Sequence, residues 1–242
     1  MGRVIIQPYT TKDPISLMGL ESAVCVGADV SDLNKNLKRG LDCIEAQHGR
    51  VLEFPQLYLE IKGYSARVIR ELYTHIAGGP TRLQQSTRYI DYEHGFEFIT
   101  PPSVKKDPEA EKVYTDTIKH IQNGLLMLDG LGVPREDSAM LLPLGMTSDI
   151  VLRTNLRNVV DMSRQRMCSR AYWEFRELFN DLLNALGGYS EEWKVLIEMR
   201  LFAPKCEITG YCTEKKSCKH MPSKKVPFNL CVNRLISDKT ND

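Results

Sequence analysis

The stretch from residue 146 to residue 186 constrains the fold most, because it is the longest run with helical character and contains no proline. Thr147, Ser148 and Asp149 are all good N-cap residues, and Gly187-Gly188 would end a helix. We therefore predict one long helix over these residues. Polar side chains are dense within it, which indicates a ligand-facing side.

Two polar patterns run along this predicted helix. Asn155 and Arg166 are eleven residues apart, so both would lie on one face, roughly 16 Å apart along the axis. A second stripe follows helical spacing through Arg153, Arg157, Asp161 and Arg164. An arginine-rich stripe is typical of a solvated face or an intrahelical ion-pair ladder, and spacing alone leaves ligand binding open as an alternative.

A series of short motifs runs through residues 141–179 without a gap. They are Leu142-Pro143, Asn155-Leu156-Arg157, Arg166 and Ala171-Tyr172-Trp173-Glu174. In kind and spacing they resemble the carboxy-terminal half of the flavin-dependent thymidylate synthases, in which a glutamine stands at the place of Tyr172.

A weaker match covers residues 71–89. Family members carry Arg-His-Arg and then, after a short gap, Ser-x-Asn-Glu-x-Ser-x-Arg-Tyr. This chain keeps His75 and the closing residues 86–89, but Thr74 and Ile76 replace the flanking arginines. In the family those arginines help to hold the flavin's phosphates, so another group must take their place here.

The loop that follows His75 has features of a phosphate site. Gly78 and Gly79 permit positive φ and close backbone approach, and Arg82 and Arg88 supply forked donors suited to phosphate oxygens. Gly-Gly-Pro is equally an ordinary turn. The family pattern favours the ligand-binding interpretation, in which Arg82, Arg70 or the N–H groups of the loop would replace the lost arginines.

The resemblance implies a reaction, a fold and an assembly. In the family FAD is reduced by NADPH, a methylene group passes from methylenetetrahydrofolate to dUMP, and the reduced flavin delivers hydride to give dTMP. The implied fold is α/β, with a central β-sheet and long helices, in a homotetramer with active sites at subunit interfaces. Residues 1–200 would form the catalytic domain and residues 201–242 a Cys/Lys-rich tail.

Residue roles follow from the matching positions. Arg166 matches the arginine that contacts the uracil ring and favours its anionic form, so it is the catalytic candidate. Glu71 stands where the family often has a nucleotide-binding glutamine. The remaining dUMP candidates are Gln84, Ser86, Thr87 and Arg88. The FAD candidates are His48, Arg50, Glu53, His75, Arg82, Asn155, Arg157, Asp161 and Arg170. Taken alone, a histidine and a glutamate at the spacing of His48 and Glu53 more often form a hydrogen-bonded loop pair than a functional one.

The composition gives no sign of a polyanionic partner, but it allows one possible metal site. The formal net charge of +1 gives no argument for nucleic acid or an anionic membrane as partner. The amino terminus lacks the apolar core of a signal peptide, so we predict a cytoplasmic protein. Cys206, Cys212, Cys218 and His220 could bind zinc, but their spacing is not that of a zinc ribbon, and reduced cysteines on a docked tail are the favoured interpretation.

The rest of the chain reads as scaffold. The pattern predicts strands over 3–7 and 57–64 and helices over 15–26, 33–47, 66–76 and 108–132. Ser31 and Asp32 are candidate caps of the second helix, Ser65 is the cap of the third, and the fourth begins with an acidic turn. Two alternative functions stay open: a related flavoenzyme acting on another pyrimidine nucleotide, and a nucleotide-binding protein without turnover, which the missing arginines motivate.

Overall fold

An antiparallel sheet of four strands lies at the centre of the computed structural model, which describes residues 2–92 and 94–223. The strands are β1 Arg3–Ile6, β2 Gln56–Ser65, β3 Thr81–Gln84 and β4 Thr147–Asn155, in the spatial order β1-β2-β4-β3. The predicted α/β class with a central sheet and long helices is confirmed.

Ten α-helices surround or extend this sheet in the described part of the chain. They are α1 Pro14–Ser22, α2 Leu33–Glu45, α3 Ala66–Leu72, α4 Pro102–Lys105, α5 Pro108–Gly130, α6 Arg135–Ser138, α7 Leu156–Arg166, α8 Trp173–Tyr189, α9 Glu191–Glu198 and α10 Lys205–Thr209. Short 3-10 turns cover Ala23–Val26, Val51–Glu53 and Ala139–Leu141.

The two central strands form the floor of the core. β2 and β4 pair from Gln56 opposite Asn155 to Ile61 opposite Ile150. Alternate residues of both strands are buried, as expected where one face of a sheet is covered, and α8 and α9 contribute buried aromatic side chains to the same core. The sheet therefore holds the start of α7, which follows β4 directly, in a rigid position.

The prediction of one helix over 146–186 is wrong. Residues 147–155 form β4, and after α7 the chain is non-helical over 167–172 before α8 begins. The segment around Ile150 and Leu152 pairs with β2 on one side and with β3 on the other, and both of these side chains are buried. This pairing outweighs the local signals that favoured a helix.

The predicted ends of that helix are also wrong. Thr147, Ser148 and Asp149 lie in β4, and Gly187 and Gly188 lie inside α8. The actual N-cap of α7 is Asn155, whose side-chain oxygen accepts the N–H of Asn158 at 2.9 Å.

Most other predicted elements are present. β1, α1 with its 3-10 extension, α2, β2 and α5 lie where the pattern placed them. Asp32 caps α2 and Ser65 caps α3, as expected, although α3 ends at Leu72 and does not reach residue 76. β3 was not predicted, because its four residues are largely exposed and carry no clear alternation.

Candidate functional site

Arg166 is the last residue of α7, and its guanidinium group is held on three sides. Nε donates to Nε2 of His75 at 2.9 Å, Nη1 to the Glu71 carboxylate at 2.6 Å, and Nη2 to Oγ1 of Thr74 at 3.4 Å. Its flat face lies 4.5 Å from the centre of the Phe175 ring. A long side chain is thus held in one orientation by groups from α3, the following turn and α8.

His75 is a neutral histidine that supports Arg166. Its side chain is only 7% exposed, and burial, with help from the positive charges of Arg166 and Arg82, lowers its pKa to about 4. Because Nε2 accepts the N–H of Arg166, the ring proton of the neutral form belongs on Nδ1. The expected flavin contact of this histidine would have to be made by a largely buried ring.

Arg82 turns inward. Its Nη2 donates to the backbone carbonyls of His75 and, at 3.3 Å, of Leu72, and its guanidinium lies 5.1 Å from the centre of the Tyr73 ring. These contacts brace the turn that follows α3. Arg82 is therefore poorly placed to replace the family's phosphate-binding arginines.

The glycine loop rests on the start of α7. Gly78 and Gly79 have φ of +72° and +62°, which glycine adopts without strain. A Cβ at Gly78 would lie 2.2 Å from Nδ2 of Asn155, so a side chain there would displace the amide that caps α7. Nη2 of Arg153 donates to the carbonyl of Gly79 at 3.3 Å. Arg153 therefore lies on β4 beside this loop and not, as its spacing had predicted, on a helical stripe.

The segment from His48 to Glu53 reaches the first turn of α7. Nη1 of Arg157 lies 3.1 Å from the Glu53 carboxylate, and Arg50 lies 3.9 Å from the same group. Gly49 packs close to the Arg157 guanidinium, and His48 is exposed. These four predicted FAD residues and Asn155 therefore gather at one end of α7, while Arg166 marks its other end.

The residues of the predicted dUMP loop pair with groups other than those around Arg166. Arg88 pairs with Glu136 at 2.8 Å, the Ser86 hydroxyl accepts the N–H of Arg88 at 3.3 Å, and Thr87 is exposed. Gln84 donates to the Ser148 hydroxyl at 3.0 Å. Across residues 2–92 and 94–223, no hydrogen bond or ion pair joins this loop to Arg166.

Two grooves flank the end of α7. One, of about 500 Å³, is lined by residues that include Thr74, His75 and Asp161. The other, of about 520 Å³, is lined by residues that include Arg166 and Arg170. Asp161 is paired with Arg164 at 3.0 Å, and Arg170 is 3.4 Å from Glu214. Both grooves are of a size that takes small-molecule ligands.

The tail contributes one wall of the second groove. Cys206, Cys212 and Cys218 line it, whereas His220 pairs with Glu207 at 2.9 Å. In the described part of the chain, no group of three or more His, Cys, Asp or Glu side chains is arranged to hold a metal ion. The geometry thus gives no support to a zinc site in the tail.

Glu174 is a buried residue whose role the sequence analysis missed. Its carboxylate accepts the backbone N–H and the hydroxyl of Ser65, at 2.7 and 2.6 Å, and is 2% exposed. Ser65 caps α3, so Glu174 fixes the first turn of α8 to the start of the helix that carries Glu71. The only signal in the sequence was its place in the motif of residues 171–174.

The fold and the site define an α/β protein with guanidinium and amide groups gathered at both ends of α7. The family model of the thymidylate synthase complementing proteins matches residues 9–188. The flavin-dependent thymidylate synthase of Pyrococcus abyssi is 33% identical over 176 residues, which cover 70% of this chain and 69% of that protein. The chain belongs to the flavin-dependent thymidylate synthase family.

Further comparisons agree with this assignment. The flavin-dependent thymidylate synthase of Nitratidesulfovibrio vulgaris is 29% identical over 225 residues, covering 84% of this chain and 88% of that protein. The crystal structure of flavin dependent thymidylate synthase ThyX from Helicobacter pylori, complexed with FAD and dUMP, shares the fold. Its TM-score is 0.63 at 17% identity, over 80% of this chain and 98% of that chain. Among the residues described, no helix is long and apolar enough to cross a membrane.

Proposed function

We propose that this chain converts dUMP to dTMP, with FAD as its cofactor, methylenetetrahydrofolate as the carbon donor and NADPH as the reductant. Family membership supports the class of reaction, and the geometry at Arg166 is the observation that carries the proposal. A guanidinium group held by Glu71, His75 and Thr74 at the rim of a ligand-sized groove is a preorganised donor.

Arg166 would act on the pyrimidine ring of dUMP. Its planar fork is permanently charged and already oriented, so it can donate to a ring carbonyl and stabilise negative charge that develops on the ring. Glu71 lies beside it. Gln84, Ser86, Thr87 and Arg88 would supply the remaining dUMP contacts, with Arg88 suited to the phosphate.

The residues at the start of α7 fit the phosphate-bearing part of FAD in their donor chemistry. Arg153 and Arg157 are exposed guanidinium groups, and Asn155 supplies an amide beside the Gly78-Gly79 turn, where only a glycine leaves room. We add Arg153 to the candidates His48, Arg50, Glu53, His75, Asn155 and Arg157, and assign Arg82 to support of the loop. When bound, the flavin supplies the hydride, and these residues would position it.

Asp161 and Arg170 remain weaker candidates for the flavin side. The Asp161 carboxylate borders the groove that also contains His75, but it is engaged by Arg164. Arg170 donates to the carbonyl of Lys216 at 2.8 Å and is therefore tied to the tail.

A homotetramer would bring the two halves of the dUMP site together. Among the described residues of one chain, no hydrogen bond or ion pair joins the Ser86–Arg88 loop to Arg166, as expected if neighbouring subunits complete each site. Ile76, Leu83 and Tyr89, which flank these segments, are apolar yet 73%, 75% and 77% exposed. Association through these side chains would remove them from water.

The proposal is tested by purifying the full chain and following its visible absorption spectrum as FAD and then dUMP are added. A bound flavin whose spectrum responds to dUMP supports a shared site. A folded protein that is colourless and ignores FAD would contradict the proposal and would favour nucleotide binding without turnover.

A further inference from the structure

We propose that Arg67 binds the phosphate of dUMP together with Arg88, and that it makes the site prefer the nucleotide to the uncharged nucleoside. This inference rests on the proposed function, because it takes Arg166 as the group that meets the base. It deepens that function by naming a phosphate-binding residue that no motif in the sequence singled out.

Arg67 lies in the first turn of α3, one helical turn before Glu71. Its Nε is 4.0 Å from one oxygen of the Glu71 carboxylate, and the other oxygen accepts from Nη1 of Arg166 at 2.6 Å. The guanidinium groups of Arg67 and Arg166 therefore flank a single carboxylate. This separation is short enough for one nucleotide to have its base at Arg166 and its phosphate at Arg67.

The ring of Tyr172 holds Arg67 in one orientation. Cζ of Arg67 lies 4.3 Å from the centre of this ring, which is a cation–π contact. The contact follows from the buried hydrogen bonds between Glu174 and Ser65, because Tyr172 is two residues before Glu174 and Arg67 is two residues after Ser65. Tyr172 stands where the family has a glutamine, which has no ring. The orientation of Arg67 thus depends on a side chain in which this chain differs from its family.

The terminal nitrogens of Arg67 are available to a ligand. Within residues 2–92 and 94–223 its side chain makes the ring contact and the ion pair through Nε, and it donates no hydrogen bond. The side chain is 54% exposed. Each terminal nitrogen of a guanidinium group has two N–H groups, and their forked arrangement matches the oxygens of a phosphate. Arg67 is therefore an oriented phosphate donor whose terminal N–H groups have no protein acceptor in the described residues.

The carboxylates near Arg67 are already engaged by other groups. Glu71 pairs with Arg166 at 2.6 Å, and Glu174 accepts two hydrogen bonds from Ser65. Because two guanidinium groups flank the one carboxylate of Glu71, a positive charge is left over at this place. That charge attracts a phosphate to Arg67. Arg166 meanwhile keeps the partners that orient it for the base.

Calorimetric titration of the full chain, saturated with FAD, with dUMP and separately with deoxyuridine tests this role. Arg67→Gln keeps a polar side chain but removes the charge and the fork. We expect it to bind dUMP about tenfold more weakly than the wild type, and deoxyuridine with an affinity within about twofold. Tyr172→Phe keeps the ring and should bind dUMP within about twofold of the wild type, whereas Tyr172→Gln should bind it about threefold more weakly.

Two controls tie the effect to this pair of side chains. Arg200→Gln removes the same charge from an exposed ion pair with Glu207 after α9, and should leave both affinities unchanged. The double variant Arg67→Gln/Tyr172→Gln should bind dUMP no more weakly than Arg67→Gln, because the ring acts only through the arginine. Melting curves of each variant report any loss of folding separately.

The outcomes separate this inference from the proposed function. If Arg67→Gln loses no dUMP affinity, or loses as much affinity for deoxyuridine as for dUMP, the phosphate role of Arg67 is overturned and the proposed function stands. If the variant loses FAD affinity and keeps dUMP affinity, Arg67 belongs to the flavin site and the inference is again overturned. A wild-type chain that binds FAD but neither dUMP nor deoxyuridine would overturn the proposed function, and this inference with it.

Discussion

The Nε–H of Arg166 is donated to Nε2 of His75 over 2.9 Å, which makes a nearly buried histidine the support of a charged side chain. The contact requires His75 to be neutral, because a protonated ring has no acceptor at Nε2. Burial and two neighbouring cations keep it so, with a pKa of about 4. Protonation of His75 and binding of Arg166 are therefore mutually exclusive.

This exclusion predicts a dependence of stability on pH. The pKa of His75 is about 4 in the folded chain and near 6.5 when unfolded, so between these values the unfolded state binds the extra proton. Stability should therefore be flat above pH 6.5 and fall as the pH is lowered toward 4. Melting temperatures of the wild type and His75→Gln check this, because the variant should lose the decline between pH 6.5 and 5. An identical decline in both proteins would contradict it.

Removal of Arg166 should abolish function without unfolding the chain. Arg166→Ala takes away an oriented donor from the site where charge develops, and loss of such a group costs about 10²- to 10³-fold in turnover. It should also weaken dUMP binding. Arg200→Ala, in which an arginine is lost from an exposed pair with Glu207 after α9, should retain both properties. Near-normal kinetics of Arg166→Ala would refute the assignment.

Glu174 should matter for stability. Its carboxylate accepts two hydrogen bonds from Ser65 in a buried position, and hydrogen bonds to charged groups contribute about 1.5–3 kcal/mol each. We expect Glu174→Ala to lower the free energy of unfolding by about 3 kcal/mol, measured by urea denaturation, and Glu174→Gln by less. A change below about 1 kcal/mol would show that the buried pair is not needed.

The two glycines after His75 should differ in their response to substitution. Both have positive φ, so Gly78→Ala and Gly79→Ala share a backbone penalty of about 1 kcal/mol. Only at Gly78 would the new methyl group collide with Asn155, since the space around Gly79 is open. We expect Gly78→Ala to destabilise further and to lose FAD affinity, measured by absorbance titration. Equal behaviour of the two variants would argue against the packing of this loop on α7.

The sequence predicted the elements with strong local signals. Asp32 and Ser65 as caps, and the proline and acidic residues at the start of α5, mark helix starts by chemistry that acts within one turn. The segment 147–155 was assigned to a helix because no proline interrupts the run that contains it and Thr147, Ser148 and Asp149 are good N-cap residues. Pairing with β2 and β3 decides the structure of this segment, and those two strands lie far from it in the sequence.

The sequence motifs singled out candidate residues for the site, but they did not predict the contacts that these residues make. The motif around Arg166 identified the arginine, yet its partner Glu71 is 95 residues away, and no local pattern encodes that pair. Arg82 illustrates the opposite case. An arginine at this position suggested a phosphate donor, but its guanidinium group donates instead to backbone carbonyls of the turn after α3.

The account is tested most directly by the product of the reaction. The purified chain is incubated with dUMP, methylenetetrahydrofolate, NADPH and FAD, and dTMP is quantified by chromatography. The account predicts that wild type forms dTMP, that omission of any one of the four stops it, and that Arg166→Ala forms almost none. A folded wild-type chain that binds FAD and dUMP but forms no dTMP would contradict it.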